Sequence, residues 1–513
     1  MAPRAPRQPR EHGARSATPI PEGSSGARSA TPIPEGSSGA RSATPIPEGS
    51  SGARSATPIP EGIRSALDRT GIERLADAAL GGAPGAAGIE AVVEHRWEGV
   101  TRFANSQIHQ NVASVDVEVR VRAVTVDGQV GVAVAHTDSP AVAAQTAERA
   151  LLIARRSVPD PEFAGFAPGA EPGSVPVDEA TLCASPEDRA AAVRALLGEV
   201  GEGWEAAGAL STSGCELGVF TTEGQRAYAL GSSARLNLVV TGSSSSGYGE
   251  AGGRSLADID AAGVARTATG KARAGSNPVA AEAGLWPVVL EPAATATLVQ
   301  FLCWLGFGGR GWLEGRTFTA GRLGERLLDE SVTIVDDARS PRSLGLPIDW
   351  EGTPKQRVTM VDRGVIAAVV HDRHTARQAG VSSTGHGLPA PNPRGPAALN
   401  PLMSPGDGGS VADLIAGMER GLLVTRFHYT NVEHTLDTQI TGMTRDGTFL
   451  VLDGRISSAV HNLRFTDTIL RALAHVDAVS SETAYSSELF FGGGHAPAVR
   501  LPGLAFTSTT TFG

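Results

Sequence analysis

Residues Trp286 to Leu305 read WPVVLEPAATATLVQFLCWL, a short apolar strand running into an apolar helix. Val288, Val289 and Leu290 form the strand, and Pro292 fits the first turn of the helix, where its missing N–H costs nothing. From Thr295 onward Leu298, Val299, Phe301, Leu302, Trp304 and Leu305 leave almost no polar face, so the helix is expected to be buried on nearly every side. A zinc hydrolase that carried its site on such a helix would need imidazoles about one turn apart and a carboxylate able to take a proton from metal-bound water. The turn offers only Gln300, Phe301, Cys303 and Trp304.

The surroundings sharpen that reading. VVLEP and the following AGRLGERLLDESVTIVDDA (Ala320 to Ala338) resemble the TldD/PmbA family of modulator-of-gyrase proteins. In the catalytic TldD-type members the same helix carries an HExxxH zinc motif. Laid over this chain without gaps, the first His of that motif falls on Gln300, the Glu on Phe301 and the second His on Leu305. The resemblance therefore implies the TldE/PmbA-type subunit, which lacks the motif and pairs with a TldD-type protease. It implies no catalytic residue, no metal ligand and no cofactor in this chain, with zinc held by a TldD-type partner in a heterodimer. The substrate it implies is an extended peptide or a small amide.

Gly421 to Arg464 reads GLLVTRFHYTNVEHTLDTQITGMTRDGTFLVLDGRISSAVHNLR. Four strands are expected, with turns at Arg445-Asp446-Gly447 and Asp453-Gly454, since both D-G pairs suit hairpins. This block resembles the C-terminal sheet of the same family. On one strand Arg426 and His428 share a face and Tyr429 takes the other. With Asn431 they are candidate substrate-groove residues, of the kind that would flank an extended peptide added as a strand. The alternative is the polar outer face of an antiparallel sheet.

Toward the N-terminus, residues 63–80 read as a helix with Leu67, Ile72 and Leu75 as an apolar stripe. Strands are expected at 91–96, 115–124 and 129–135, the last two joined at Asp127-Gly128. A helix over 139–155 follows, with Pro140 in its first turn and Ala144, Ala147, Leu151 and Leu152 on its buried face. The stretch containing TRFANSQIHQN resembles the N-terminal domain of the family; its Asn105, His109 and Gln110 read as solvated, capping or turn groups. Ser185 and Asp188 start another helix. Short strands are expected at 209–213, 217–222, 225–230 and 234–241. GSSSSGYGEAGGR (Gly242 to Arg254) then reads as a loop without a phosphate-binding fingerprint, followed by a helix over 256–274. His371 and His374 have a spacing that metals use but no third ligand nearby. Gly385 to Asp407 is a long irregular loop and a candidate cavity wall.

Residues 13–62 repeat GARSATPIPEGSS, the last copy cut short. Each copy offers one Ile between prolines, too little apolar surface to stack, so 1–62 is expected to be a disordered arm. The 513 residues carry a net charge of -10, which argues against a nucleic-acid partner. No apolar run approaches a membrane span, and the N-terminus lacks the apolar core expected of a secretory signal. Cys183, Cys215 and Cys303 are few, scattered and odd in number, as buried thiols of a reducing compartment would be; a cytoplasmic protein is expected. The fold class expected is α+β, with an N-terminal α/β domain over 63–275 and a mainly antiparallel β domain over 276–513. The function implied is a non-catalytic subunit of a metalloprotease complex that shapes the substrate cavity. A self-sufficient hydrolase in peptide or natural-product maturation, a repeat-bearing scaffold and a homodimer remain open.

Overall fold

A computed structural model describes residues 67–487 and 494–509. The tandem-repeat arm lies outside the described residues. Helix α1 (Arg69–Gly81) begins where the Asp68 carboxylate accepts the Gly71 N–H, and it buries Ile72 and Leu75 as the apolar stripe requires. Then come β1 (Gly88–Ala104), β2 (Gln107–Val124), β3 (Val130–His136), α2 (Pro140–Ala154), α3 (Glu179–Leu182) and α4 (Pro186–Gly198). After β4 (Glu205–Thr221), β5 (Arg226–Thr241) and β6 (Ser246–Gly253), α5 (Ala261–Ala274) completes the first layer pair. The six strands lie in the order β3-β2-β1-β4-β5-β6, every neighbour antiparallel. Asn105 and Ser106 join β1 to β2 with φ of 49° and 57°, the two-residue turn whose twist matches a hairpin.

Alternation divides the two faces of this sheet. Ile89, Ala91 and Val93 of β1 pack under α1 and α2, while Leu210, Leu236 and Leu238 pack under α4 and α5. Val92, Leu217 and Val219 point the other way. Among the described residues no helix covers them; Ile348, with Leu346 and Trp350 beside it, does.

The first sheet departs from the sequence expectation in three places. The four short strands expected over 209–241 are two long ones, because Ser, Thr and Gly continue a strand where tertiary neighbours replace their missing bulk. A Cβ at Gly214 would lie 2.0 Å from the Trp97 indole, so that glycine is the seat of the ring. The expected loop over 242–254 is instead largely β6. A Cβ at Gly247 would lie 2.0 Å from the Ala268 carbonyl oxygen, and one at Gly249 would be 2.8 Å from that of Val264, so these glycines let α5 rest directly on the strand. On α2 the buried face runs through Ala143, Ala147, Ala150 and Leu151, leaving Leu152 48% exposed. Cys183 is exposed as well, since it ends the single turn of α3; Cys303 is buried.

The second sheet is built from β7 (Gly284–Leu290), β8 (Ile334–Asp336), β9 (Val358–Asp362), β10 (Val365–Ile366), β11 (Pro401–Met403) and β12 (Arg420–His434). β13 (Gln439–Leu452), β14 (Arg455–Ala459), β15 (Leu463–Thr468), β16 (Ala478–Ser486) and β17 (Gly494–Thr509) complete it. Its path is β10-β9-β8-β11-β17-β15-β13-β12-β7, and β7 also pairs with β17, so five strands close a ring. Most pairs are antiparallel, with β7–β12 and β11–β17 parallel. Helix α6 (Pro292–Gly306) packs on β12 and β17, and α7 (Gly309–Leu313), α8 (Arg373–Ala379), α9 (Val411–Ala416) and α10 (Ile469–Leu473) are short. Among the described residues no helix is long and apolar enough to cross a membrane.

The Asp453-Gly454 turn is where the sequence places it, with φ of 49° and 72°. Arg445-Asp446-Gly447 is not a turn: β13 runs straight through it, and the chain reverses at 435–438 instead. Asp446 and Gly447 have positive φ of 55° and 129°, and the register to β12 slips there, so a D-G pair makes a bulge inside a strand.

Candidate functional site

Helix α6 forms one wall of a cavity of about 590 Å³. Gln300, Trp304 and Leu305 line it from the helix, Arg316 and Thr317 from the segment after α7, Val432 from the end of β12 and Leu436 from the reversal that follows it. The opposite wall is Pro393 to Leu399, part of the irregular loop that the sequence singles out. Gln300 is 7% exposed and Leu305 8%, whereas Trp304 is half exposed, the one break in an otherwise buried helix surface past Thr295.

The donor set on this helix does not fit zinc. Gln300, Phe301 and Leu305 present a carboxamide and two hydrocarbons where imidazoles and a carboxylate would be needed. Phe301 is turned into the core against Trp304, ring centroids 5.9 Å apart. Burial drives the Cys303 thiol well above its ordinary pKa, so it stays protonated and is neither nucleophile nor thiolate ligand. Among the described residues no histidine or carboxylate lines the cavity. Among the described residues no group of three or more His, Cys, Asp or Glu is placed to hold a metal ion. What the cavity offers is apolar enclosure with a carboxamide, two threonine hydroxyls and two guanidinium groups at its edge.

The groove residues named from sequence separate. Arg426 is buried: its Nε donates to Asp446 Oδ2 at 2.8 Å, and its guanidinium lies 4.1 Å from the centroid of the Tyr248 ring in the first sheet. Ser246 of β6 donates to the other Asp446 oxygen at 2.6 Å, so this cluster ties the two sheets together. His428 is half-buried, and burial, then Arg426, lowers its pKa. Tyr429 is 78% exposed at φ 50°, and Asn431, also exposed, donates to the Tyr429 carbonyl. A bulge between His428 and Asn431 breaks the alternation that would have set them on defined faces.

His371 precedes the Asp372 N-cap of α8 and sits 3.2 Å from Thr375 Oγ1, while His374 lies on the helix 3.5 Å from Glu162. The two imidazoles do not share a ligand. His109 and Gln110 are exposed on β2.

A buried ionic network escapes sequence reasoning because its members are far apart in the chain. Asp336 and His386, both fully buried, stand 3.0 Å apart, and Asp336 also accepts the Asn400 N–H at 2.7 Å. Burial opposes its charge, but His386 prevails and its pKa falls. Asp349 accepts backbone N–H groups from Glu351, Thr353 and Gly387, pinning the 347–355 segment to the irregular loop. Glu351, two residues away, has one such donor, Arg373 N. Burial, reinforced by repulsion from Asp349, pushes Glu351 up to about 8.

Residues 283–508 match the PmbA/TldA metallopeptidase C-terminal domain, and residues 89–154 match PmbA/TldA metallopeptidase domain 1. A TldD metalloprotease homolog of Haemophilus influenzae is 27% identical over 234 residues, 44% of this chain and 47% of that protein. A metalloprotease of Methanothermobacter thermautotrophicus is 25% identical over 202 residues, 39% of this chain and 43% of its own length. The chain thus spans less than half the length of these curated relatives. TldE from Thermococcus kodakarensis superposes with a TM-score of 0.77 at 20% identity, covering 85% of this chain and all of that one; this likeness shows the fold.

Proposed function

The chain belongs to the PmbA/TldD metallopeptidase family, and from that premise we propose that it is the TldE/PmbA-type, non-catalytic subunit of a zinc metalloprotease complex. The observation that carries this reading is helix α6, where Gln300 and Leu305 face the cavity, Phe301 faces the core, and among the described residues no base or ligand stands at the positions the HExxxH motif would occupy. In the proposed complex a TldD-type partner holds the zinc, the activating Glu and the hydrolytic water. This chain contributes enclosure for an extended peptide or small amide. Holding the amide in one orientation and away from bulk water favours the partner's attack without any ligand from this side. The Gln300 carboxamide has one donor and one acceptor face, matching a peptide group. Residues 63–275 and 276–513 act as its two domains, and three free cysteines suit a reducing cytoplasm.

The test measures zinc content and amide hydrolysis of the purified chain, alone and mixed with a TldD-type protein from the same cell. Metal and activity only in the mixture, with the zinc bound to the partner, is the expected result. Stoichiometric zinc and hydrolysis in the chain alone would establish a self-sufficient hydrolase instead. A stable homodimer that ignores the partner would also overturn the pairing.

A further inference from the structure

The helix-free face of the first sheet carries a second cavity, of about 620 Å³. Its floor is the even-numbered side of β1 and the facing residues of β4 and β5; its roof is the 344–350 segment with Leu399 and Asn400. Lys355 projects into it from the end of that segment. The residue is 3% exposed, and its backbone N–H is fixed to the Pro347 carbonyl at 2.8 Å. Its ammonium makes no hydrogen bond and no ion pair among the described residues. The neighbouring carboxylates do not use it as a direct partner: Asp336 is paired with His386 and Asp349 with three backbone N–H groups.

A second cation on the same cavity is also incompletely satisfied. Arg235 on β5 lines it, and its buried Nε has no acceptor. Asp336 and Asp349 offset the Lys355 charge without accepting a hydrogen bond from it, so the ammonium and the Arg235 Nε–H both keep a donor that an anion in the cavity can accept. The remaining lining supports a small amphipathic guest. Leu344, Leu346, Ile348 and Trp350 give an apolar side, and Ser213 and Ser233, hydroxyls 2.7 Å apart, give a polar one. Glu94, Glu98 and Asp116 also line the cavity, Glu94 paired with the lining Arg96, and their charge disfavours a doubly charged anion more than a singly charged one.

We propose that this cavity binds a small organic monocarboxylate with an apolar arm of amino-acid size, its carboxylate held by Lys355 and Arg235. The site lies on the first sheet, and it stands whether or not the reading of the α6 cavity does.

Trp97 and Trp350 line the cavity, so binding is read from the tryptophan fluorescence of the full chain and checked by calorimetry. N-acetyl-leucine is expected to bind saturably, with N-acetyl-leucinamide and inorganic phosphate each at least about tenfold weaker. Lys355→Met is expected to remove that preference for the acid over the amide. A tetrapeptide ending in leucine, offered as free acid and as amide, distinguishes a peptide terminus from a free acid as the source of the carboxylate. Equal affinity for acid and amide, tighter binding of phosphate, or no saturation by the acid at millimolar concentration overturns the proposal. The acid–amide comparison uses the unaltered protein, so it decides even if Lys355→Met does not fold; Arg235→Leu provides a second variant with the same expected loss.

Discussion

At the residue scale the buried charges make the sharpest predictions. Glu351 is raised from an ordinary 4.5 to about 8 by burial and by Asp349. A raised folded-state pKa means that the folded protein holds the proton more tightly than the unfolded chain. The contribution is therefore fully present below pH 4.5 and is lost as pH rises through about 8. Glu351→Gln keeps the neutral shape and its acceptor for Arg373 N–H. Its stability advantage over the parent should grow with pH across that window and then level off. Thermal unfolding in a buffer series from pH 5 to 9 would show it; parallel curves would refute the shift. The Arg426–Asp446 pair makes a different prediction. Arg426→Met leaves a buried carboxylate with only part of its partners, and about 3–5 kcal/mol of stability should be lost in denaturant titration.

At the scale of elements, packing distance rather than propensity decides where the chain goes. Gly247 and Gly270 both belong to the β6–α5 pair, yet they ask for opposite outcomes. A Cβ at Gly247 meets the Ala268 backbone at 2.0 Å, which cannot yield without moving the helix, so Gly247→Ala should destabilise by roughly 2 kcal/mol or more. Gly270, inside α5, has nothing within 4 Å and helical backbone. Gly270→Ala should therefore stabilise by about 0.5–1 kcal/mol through the helix propensity alone. The two midpoints, measured side by side, check both signs. The same principle explains the bulge at Asp446-Gly447. A D-G pair favours a reversal locally, but Arg426 and Ser246 hold the Asp446 carboxylate inside the sheet junction, and the strand continues.

At the scale of the whole molecule, β7 closes the second sheet against β17, and the irregular loop over 385–407 borders both cavities, with Leu399 lining each of them. Function in the proposed complex resides in these walls, so deletion of residues 1–51 should leave association with a TldD-type partner unchanged. A pull-down or sedimentation experiment with the shortened chain would test this. Loss of the partner would assign the repeats a scaffold role.

The sequence by itself determined the local features: the strand–helix unit at 286–305, the capped start of α4 and the Asp453-Gly454 turn. Each depends on residues a few places apart, where propensity, capping and spacing act directly. The second cavity was not legible, because Lys355, Arg235 and Ser213 meet only after two sheets and a loop have assembled. The β6 strand was hidden for the same reason, since its glycines look like a loop until α5 is placed on them. Likewise Arg426 reads as a groove residue on an isolated strand and becomes a buried tie once Asp446, Ser246 and Tyr248 surround it. Only the tertiary structure decides such cases, because burial and electrostatic pairing depend on neighbours that lie many residues away in the chain.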